Sequence, residues 1–188
     1  GVGDIANTDT VDVQASGAGT PATIELIDGD GQVATVGTAV AVLPTVRVAD
    51  AFDNDLLGVQ IEFTVTGGGG SVTGGTTSSG AGGQASVGSW TLGTAVGTNT
   101  LIATVAGLAD TITFTATGEV DAADRLELDD GDGQSATVGS AVPIPPAVRV
   151  TDQHGNPIAG FPVDFEVVSG GGVLTGESAT TDAAGVAT

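Results

Sequence analysis

The sequence predicts an all-β protein built from tandem β-sandwich domains, and three observations lead to that prediction. The 188 residues are rich in Gly, Thr, Val and Ala, and the 32 Gly are typical of short strands joined by glycine turns. Apolar and polar residues alternate in several stretches, as they do in a strand with one buried face. The chain also repeats itself at an interval of about 101–102 residues.

The repeat divides the chain into three parts. The motif DGDGQVAT at Asp28 returns as DGDGQSAT at Asp130, and this offset of 102 holds without a gap to Thr188. A shorter match relates residues 10–17 to residues 111–118. The predicted domains are residues 1–17, the terminal strand of a preceding repeat; residues 18–118, a whole repeat (the complete copy); and residues 119–188, an incomplete repeat (the open copy).

Alternation places the strands of the complete copy in order. The apolar faces are Ile24 and Leu26; Val46 and Val48; Val59, Ile61, Phe63 and Val65; Leu101, Ala103 and Val105; and Ile112, Phe114 and Ala116. The expected strands lie near residues 22–27, 39–42, 44–50, 58–66, 70–73, 84–92, 99–106 and 110–117. So many short strands in about 100 residues predict an Ig-like β-sandwich. Trp90 is large enough to fill the space between two sheets, so we expect it in the core.

The open copy stops at Thr188, the counterpart of Ser86, and so lacks the last strands of the repeat. We expect that it cannot bury a complete core from its own residues. Two explanations remain open: the sequence is a window of a longer array, which we favour, or another molecule completes the copy. In the second case Val11, Val13 and Ala15 would add a strand to a neighbour's open edge.

Composition and charge exclude several functions. The formal net charge is −20, from 23 Asp and Glu against 3 Arg, so binding to phosphate backbones or anionic membrane surfaces is unfavourable. The chain has no run of about 18 apolar residues that could span a membrane. With no Cys it has no disulfide, Cys-ligated metal or thiol nucleophile. An extracellular location is compatible with all of these features.

Several motifs resemble the bacterial immunoglobulin-like domains of invasin and intimin-type surface proteins. The motifs are ATVGTAV, GGGVLTG, TTDAAGVAT, GSWTLGTAVGTNTLIATV and, most of all, VTDQHGNPIAGFPVDFEV at 150–167. The complete copy departs from the last motif at VADAFDNDLLGVQIEFTV (48–65), where Gly and Pro are lost, and we expect a longer or differently shaped turn there. The resemblance covers essentially the whole chain. It implies a stalk, spacer or adhesive role and no catalytic residues.

Acidic turns after the first strand of each copy are candidate Ca²⁺ ligands. Carboxylates at alternate positions with glycines between them suit an ion that takes six to eight oxygens. The candidates are Asp28, Asp30, Asp130 and Asp132, with a second acidic cluster at Asp50, Asp53 and Asp55, and with Asp152 and Asp182 able to approach in the open copy. The alternative is that Asp-Gly is favourable turn chemistry and that the charge keeps the protein soluble. No cofactor is required, and Ca²⁺ is the one candidate.

Other candidate chemistry is better explained by structure. His154 is the only histidine, and Asp152 lies two residues before it. Phe52 occupies the position of His154 in the complete copy, which favours a surface turn over a catalytic triad. Arg47 and Arg149 recur at one strand position, and we expect each to pair with a nearby carboxylate. The glycine runs at 67–70 and 170–172 predict points where the chain crosses between sheets.

These observations predict a non-enzymatic module of an extracellular or cell-surface protein or filament, in which tandem Ig-like domains form a rod for adhesion or spacing. The expected partners are neighbouring repeats or identical subunits, and a host or cell-surface ligand is a further candidate. Nucleic acid and membrane insertion are not expected. Two alternatives stay open: an adhesin module that binds a carbohydrate or receptor, and a fibre subunit completed by strand exchange.

Overall fold

The computed structural model of the chain describes residues 19–188, so the terminal strand predicted in residues 1–17 lies outside the described residues. The regular secondary structure of the described part is all strand, apart from a 3₁₀ turn at Ala81–Gly83. The strands are β1 (Thr23–Asp28), β2 (Gln32–Thr35), β3 (Thr45–Ala49), β4 (Gln60–Gly67), β5 (Ser71–Thr73), β6 (Thr76–Ser78), β7 (Gln84–Ser86), β8 (Ser89–Thr91), β9 (Gly97–Val105), β10 (Ile112–Glu119), β11 (Ala123–Asp130), β12 (Ala147–Asp152), β13 (Pro162–Asp164), β14 (Ser178–Thr180) and β15 (Val186–Ala187). No helix in the described part is long and apolar enough to cross a membrane.

The complete copy is an Ig-like sandwich, as the sequence predicts. One sheet has the order β1-β3-β7 and the other the order β2-β10-β9-β4-β6. All neighbours are antiparallel except β2 and β10, which run parallel. A short pair, β5 and β8, lies beside them. The chain passes back and forth between the two sheets, because β1, β3 and β7 lie in one sheet and β2, β4 and β6 lie in the other.

The core of the complete copy lies between its two sheets. Trp90 is 0% exposed, which confirms its predicted place in the core. Phe63 of β4 and Phe114 of β10 lie with ring centroids 6.3 Å apart, within the usual range for aromatic pairs. The alternation read from the sequence is the inward face of β3, β4, β9 and β10, whose residues Val46, Val48, Ile61, Phe63, Leu101, Ala103, Val105, Phe114 and Ala116 are buried. The prediction was wrong for Leu26 of β1, which is 40% exposed although Ile24 is buried.

Two predicted strands of the complete copy were wrong. Residues 39–42 do not form a strand; Val42 instead bonds with the side chain of Gln32, whose amide nitrogen donates to the Val42 carbonyl at 2.7 Å and whose oxygen accepts from the Val42 amide at 2.8 Å. The backbone of this segment makes a single bridge, from Ala39 to Thr91, and the Gln32 side chain holds the rest. The predicted strand 84–92 is divided at Gly88 into β7, which pairs with β3, and β8, which pairs with β5.

The glycine run at 67–70 marks a crossing between sheets, as expected. It separates β4, in the five-stranded sheet, from β5, in the pair with β8. Gly68 and Gly69 both have positive φ, at 80° and 76°, a region that favours glycine. The run also lies so close to Thr91 that a side chain at Gly70 would collide with its carbonyl oxygen.

The open copy has counterparts of β1, β3, β4, β6 and β7, but residues 134–137, the counterpart of β2, do not form a strand, and the core is small. It contains the sheet β11-β12-β15 and the pair β13-β14, and its fully buried apolar cluster is Val150, Val163 and Ala187. Equivalent positions differ greatly in exposure between the copies. Ile24 is 7% exposed and its counterpart Leu126 is 64% exposed, while Val36 is 1% exposed and its counterpart Val138 is fully exposed. The open copy thus leaves its apolar face uncovered within the described residues.

Candidate functional site

Three of the four predicted calcium ligands, Asp28, Asp30 and Asp130, have carboxylates that already accept hydrogen bonds, whereas Asp132 is exposed. Asp28 accepts from the Gly29 amide, and Asp130 accepts from the Gly131 amide, both at 2.7 Å. Asp30 fastens its turn to β10, because its Oδ1 accepts from the backbone amide of Thr115 at 2.7 Å. That hydrogen bond, the largest cause, lowers the pKa of Asp30 below its ordinary value. The turns therefore use these carboxylates to fix their own shape.

Calcium binding stays a prediction. Within residues 19–188, no three His, Cys, Asp or Glu side chains converge to form a group that could hold a metal ion. If Asp28, Asp30, Asp130 and Asp132 bind Ca²⁺, the melting temperature should be higher in millimolar Ca²⁺ than in chelator. Equal melting temperatures in the two solutions would contradict Ca²⁺ binding by these residues.

The side chains that converge with clear geometry lie where the two copies meet. Asp152, at the end of β12, is 0% exposed and begins the turn that leads to Asn156. Its Oδ1 accepts from the amides of His154 at 2.9 Å and Asn156 at 2.8 Å. Its Oδ2 accepts from the Asn156 side chain at 2.8 Å and from the amide of Asp121 at 3.2 Å. One carboxylate thus joins the turn to the segment that connects the copies.

Asn156 carries the contact across to the complete copy. Its Nδ2 donates to the Thr94 carbonyl at 2.9 Å, and its Oδ1 accepts from the Val96 amide at 3.3 Å. Since the second Nδ2 hydrogen bonds to Asp152, both amide hydrogens and the oxygen are used. We call this set of contacts, from Asp152 through Asn156 to Thr94 and Val96, the junction.

The loop that receives Asn156 is shaped by a buried side chain of the complete copy. Asn99 is buried in β9, and its Oδ1 accepts from the Gly93 amide at 2.8 Å while its Nδ2 donates to the Gly97 carbonyl at 3.2 Å. These two bonds span the turn that presents Thr94 and Val96. The junction therefore has a fixed side on each copy.

His154 belongs to this junction and to no catalytic group in the described part of the chain. It is exposed, and its Nε2 lies 3.2 Å from where a Cβ of Gly37, in the complete copy, would stand. A cleft between the copies is lined by Val96, Val120 and Ala159, which come from both copies and their connection. The His154 position is therefore a packing position between copies.

The turn in the complete copy has the same shape as the turn in the open copy, so the expectation of a longer or different turn was wrong. The Asp50 amide donates to the Asn54 carbonyl at 3.0 Å, as Asp152 does to Asn156. Asp53 takes a positive φ of 64° where Gly155 has 85°. Asp53 is held by Arg47, whose Nη1 donates to its carboxylate at 2.7 Å. An ion pair thus replaces the conformational freedom of glycine.

The two repeated arginines pair with carboxylates, as the sequence predicts, but with different ones. Arg47 contacts Asp53, Asp55 and Glu25, and the hydrogen bonds that it donates to Asp53 and then to Asp55 raise its pKa above the ordinary value. Arg149 contacts Asp129 at 2.9 Å. The partners change because Gly155 and Pro157 stand where the complete copy has Asp53 and Asp55. Both pairs are exposed enough to contribute little to stability.

The junction should weaken in acid. Burial raises the pKa of Asp152, but hydrogen bonds from Asn156, Asp121 and His154 outweigh it and hold the pKa below its ordinary value. A depressed folded-state pKa means that the carboxylate stabilises the fold above an unfolded-state pKa of about 3.9 and loses this contribution as the pH falls through the folded-state value. We expect the difference in melting temperature between wild type and Asp152→Asn to be constant from about pH 5 to 7 and to shrink below about pH 4. A difference unchanged in acid would contradict this assignment.

Sequence reasoning missed Asn99 and Asn156. Asn156 could have been found, because Asp50 and Asn54 occur at the same positions one repeat earlier. Asn99 gives no such signal, since its counterpart would fall beyond residue 188.

Comparisons with known proteins give remote structural similarities. No protein-family model and no curated protein matches the chain. The D0-D1 domain of intimin is 15% identical with a TM-score of 0.41, over 88% of this chain and 81% of that chain. The Escherichia coli adhesin FdeC is 20% identical with a TM-score of 0.44, over 78% of this chain and 46% of that chain. A C-terminal 282-residue intimin fragment, solved with the intimin-binding domain of its receptor Tir, is 18% identical with a TM-score of 0.43, over 90% of this chain and 55% of that chain.

These structures come from the group that the sequence motifs resemble. The chain spans about half the length of the FdeC and intimin-fragment chains. The strand pairing of the complete copy itself shows its Ig-like fold.

Proposed function

We propose that the chain is a non-enzymatic structural module of an extracellular surface protein or filament, in which tandem Ig-like domains form a stalk for adhesion or spacing. The observation that carries the proposal is the junction. Asn156 uses all of its amide hydrogens and its oxygen to join the turn of one copy to the loop of the other. A connection of this kind suits a device that transmits position or force along a chain of domains.

The distribution of charged groups supports the same role. Within residues 19–188, the acidic side chains other than Asp152 are exposed or half-exposed, which favours a solvated surface for a long protein. The Asp50 and Asp152 carboxylates, one in each copy, accept hydrogen bonds within their own turns. Among residues 19–188, no three His, Cys, Asp or Glu side chains form a group that could hold a metal ion.

A fibre subunit completed by strand exchange is the second candidate, because a specific observation favours it. The open copy exposes Leu126, Leu128, Val138 and Val168, and a cleft between Leu126, Val150 and Phe161 opens onto its small core. An uncovered apolar face of this kind calls for further strands, from the same polypeptide or from another.

Images of the protein from its source test the proposal and separate the two candidates. A stalk predicts a thin beaded rod with beads a few nanometres apart, since a strand of about 10 residues spans roughly 33 Å. Denaturing mass analysis of the same material should then show a long polypeptide. Filaments formed by a chain of about 20 kDa would favour strand exchange, given that the 188 residues have a mass of 18.0 kDa. Compact single particles would contradict both.

A further inference from the structure

The far end of the complete copy carries the same turn that the open copy uses at the junction. Asp50 Oδ1 accepts from the amides of Phe52 at 2.8 Å and Asn54 at 3.0 Å, and its Oδ2 accepts from the Asn54 side chain at 3.0 Å. These bonds match those of Asp152 with His154 and Asn156. The Asn54 amide is therefore held in the orientation that Asn156 has at the junction.

The atoms of Asn54 that would reach a partner are free within residues 19–188. Its Nδ2 donates only to Asp50, and no described group donates to its Oδ1. In Asn156 the corresponding atoms bind the Thr94 carbonyl and the Val96 amide. The complete copy thus presents one half of a junction.

Two exposed apolar side chains stand at the positions that face the neighbouring copy in the junction. Phe52 is 86% exposed and Leu57 is 72% exposed. Their counterparts are His154, which lies against Gly37, and Ala159, which lines the cleft with Val96. Large apolar groups grouped at one end of a domain are typical of an interaction surface.

The path of the incoming chain is a separate observation that points to the same occupant. In the open copy, the connecting segment passes Asp152 so closely that the Asp121 amide donates to its carboxylate. Gly19, the counterpart of Asp121, lies so close to Asp50 that a Cβ there would stand 2.5 Å from the Asp50 side chain. The chain therefore enters the complete copy along the route that, in the open copy, comes directly from the preceding domain.

From these contacts we infer that Phe52, Asn54 and Leu57 form a docking surface for the end of a preceding Ig-like repeat. The partner is a domain that presents a turn like residues 93–97, with a free backbone carbonyl and amide two residues apart for Asn54. Phe52 and Leu57 cover the apolar part of the contact. This inference rests on the proposed function, because it extends the observed junction to a second place in the array.

The test uses the full chain with residues 18–118 duplicated in tandem. In the duplicated protein, a second complete repeat follows residue 118 of the first. It is then preceded by residues 111–118, which match the residues 10–17 that precede the complete copy in the native chain. The chain has no Cys, so Thr113→Cys in both complete repeats gives one pair of spin labels. We expect a narrow distance distribution, and we expect Asn54→Asp in the second repeat to widen it at least twofold. The aspartate would place a carboxylate oxygen against a backbone carbonyl.

Control variants separate this inference from the proposed function. Phe52→Ser with Leu57→Ser in the second repeat should also widen the distribution, and both side chains are exposed, so the fold should persist. Labels at Thr113 of the second repeat and Glu127 of the open copy report the observed junction. If that distance is narrow while the distance between the two complete repeats is broad and insensitive to Asn54→Asp, the inference fails alone. If both distances are broad, the proposed function fails as well.

Discussion

Appending residues 87–118 of the complete copy directly after Thr188 should convert the open copy into a stably folded domain. The appended segment would supply counterparts of β8, β9 and β10, which cover the core in the complete copy. Burying one Val, Leu or Ile side chain stabilises a fold by about 1.5–3 kcal/mol. Leu126 and Val138 would each change from exposed to covered, because their counterparts Ile24 and Val36 are 7% and 1% exposed in the complete copy.

The expected gain is large even after its entropic cost. Ordering the appended strands offsets most of the gross stabilisation. A net gain of about 3 kcal/mol would raise the melting temperature of a domain of this size by roughly 12–24 °C. With Trp90→Phe in the complete copy, the appended tryptophan is the only one in the protein, so its fluorescence reports the open copy alone.

A matched control tests whether the appended strands act through the core. Changing the appended counterparts of Leu101 and Phe114 to Ser should abolish the gain, because both positions are 0% exposed in the complete copy. If the appended tryptophan reports no cooperative transition, or melts no higher with the apolar residues than with Ser, the open copy is not an unfinished Ig-like domain.

Replacing Trp90 with Ala should destabilise the complete copy by about 3–5 kcal/mol, the usual cost of removing a buried aromatic side chain. Trp90 lies in the short strand β8, which pairs with β5, and its side chain is fully buried, so its main contribution comes from filling the space between the sheets. Its backbone carbonyl accepts from the Val40 amide at 2.9 Å, a bond that the substitution preserves. Thermal unfolding followed by circular dichroism measures the effect.

Trp90→Phe provides the comparison for this prediction. The indole Nε1 is buried without a hydrogen-bond partner among residues 19–188. An unsatisfied buried donor costs about 1–3 kcal/mol, so its removal should offset part of the loss of ring volume. We expect Trp90→Phe to cost well under half as much as Trp90→Ala. A cost for Trp90→Phe above half that of Trp90→Ala would contradict this prediction.

The sequence predicts the parts of the fold that repeat or alternate. Phe63, Leu101 and Phe114 are buried as period-two alternation requires, and the 102-residue offset places Arg149 where Arg47 stands. Failures occur where a side chain holds a segment that makes a single bridge, or where a turn divides a strand. The bonds of Gln32 to Val42 and the division of residues 84–92 at Gly88 both depend on long-range contacts, which carry no local signal.

The candidate site shows the same limit more sharply. Carboxylate spacing identifies Asp28 and Asp30 as possible ligands, yet the structure uses both for hydrogen bonds within and beyond their turns. The spacing of Asp152 and Asn156 resembles that of any polar turn. Their role depends on Thr94 and Val96, which lie about 60 residues earlier in the chain and are brought there only by the fold.

A distance measurement tests most directly whether the junction holds the two copies in a fixed orientation. Spin labels at Thr113→Cys and Glu127→Cys would be the only labels in this Cys-free chain. We predict a narrow distance distribution for the wild-type junction and a distribution at least twice as wide for Asn156→Asp, while Asn54→Asp leaves the distribution unchanged. A broad wild-type distribution, or one that Asn156→Asp does not alter, would contradict a fixed orientation held by the junction.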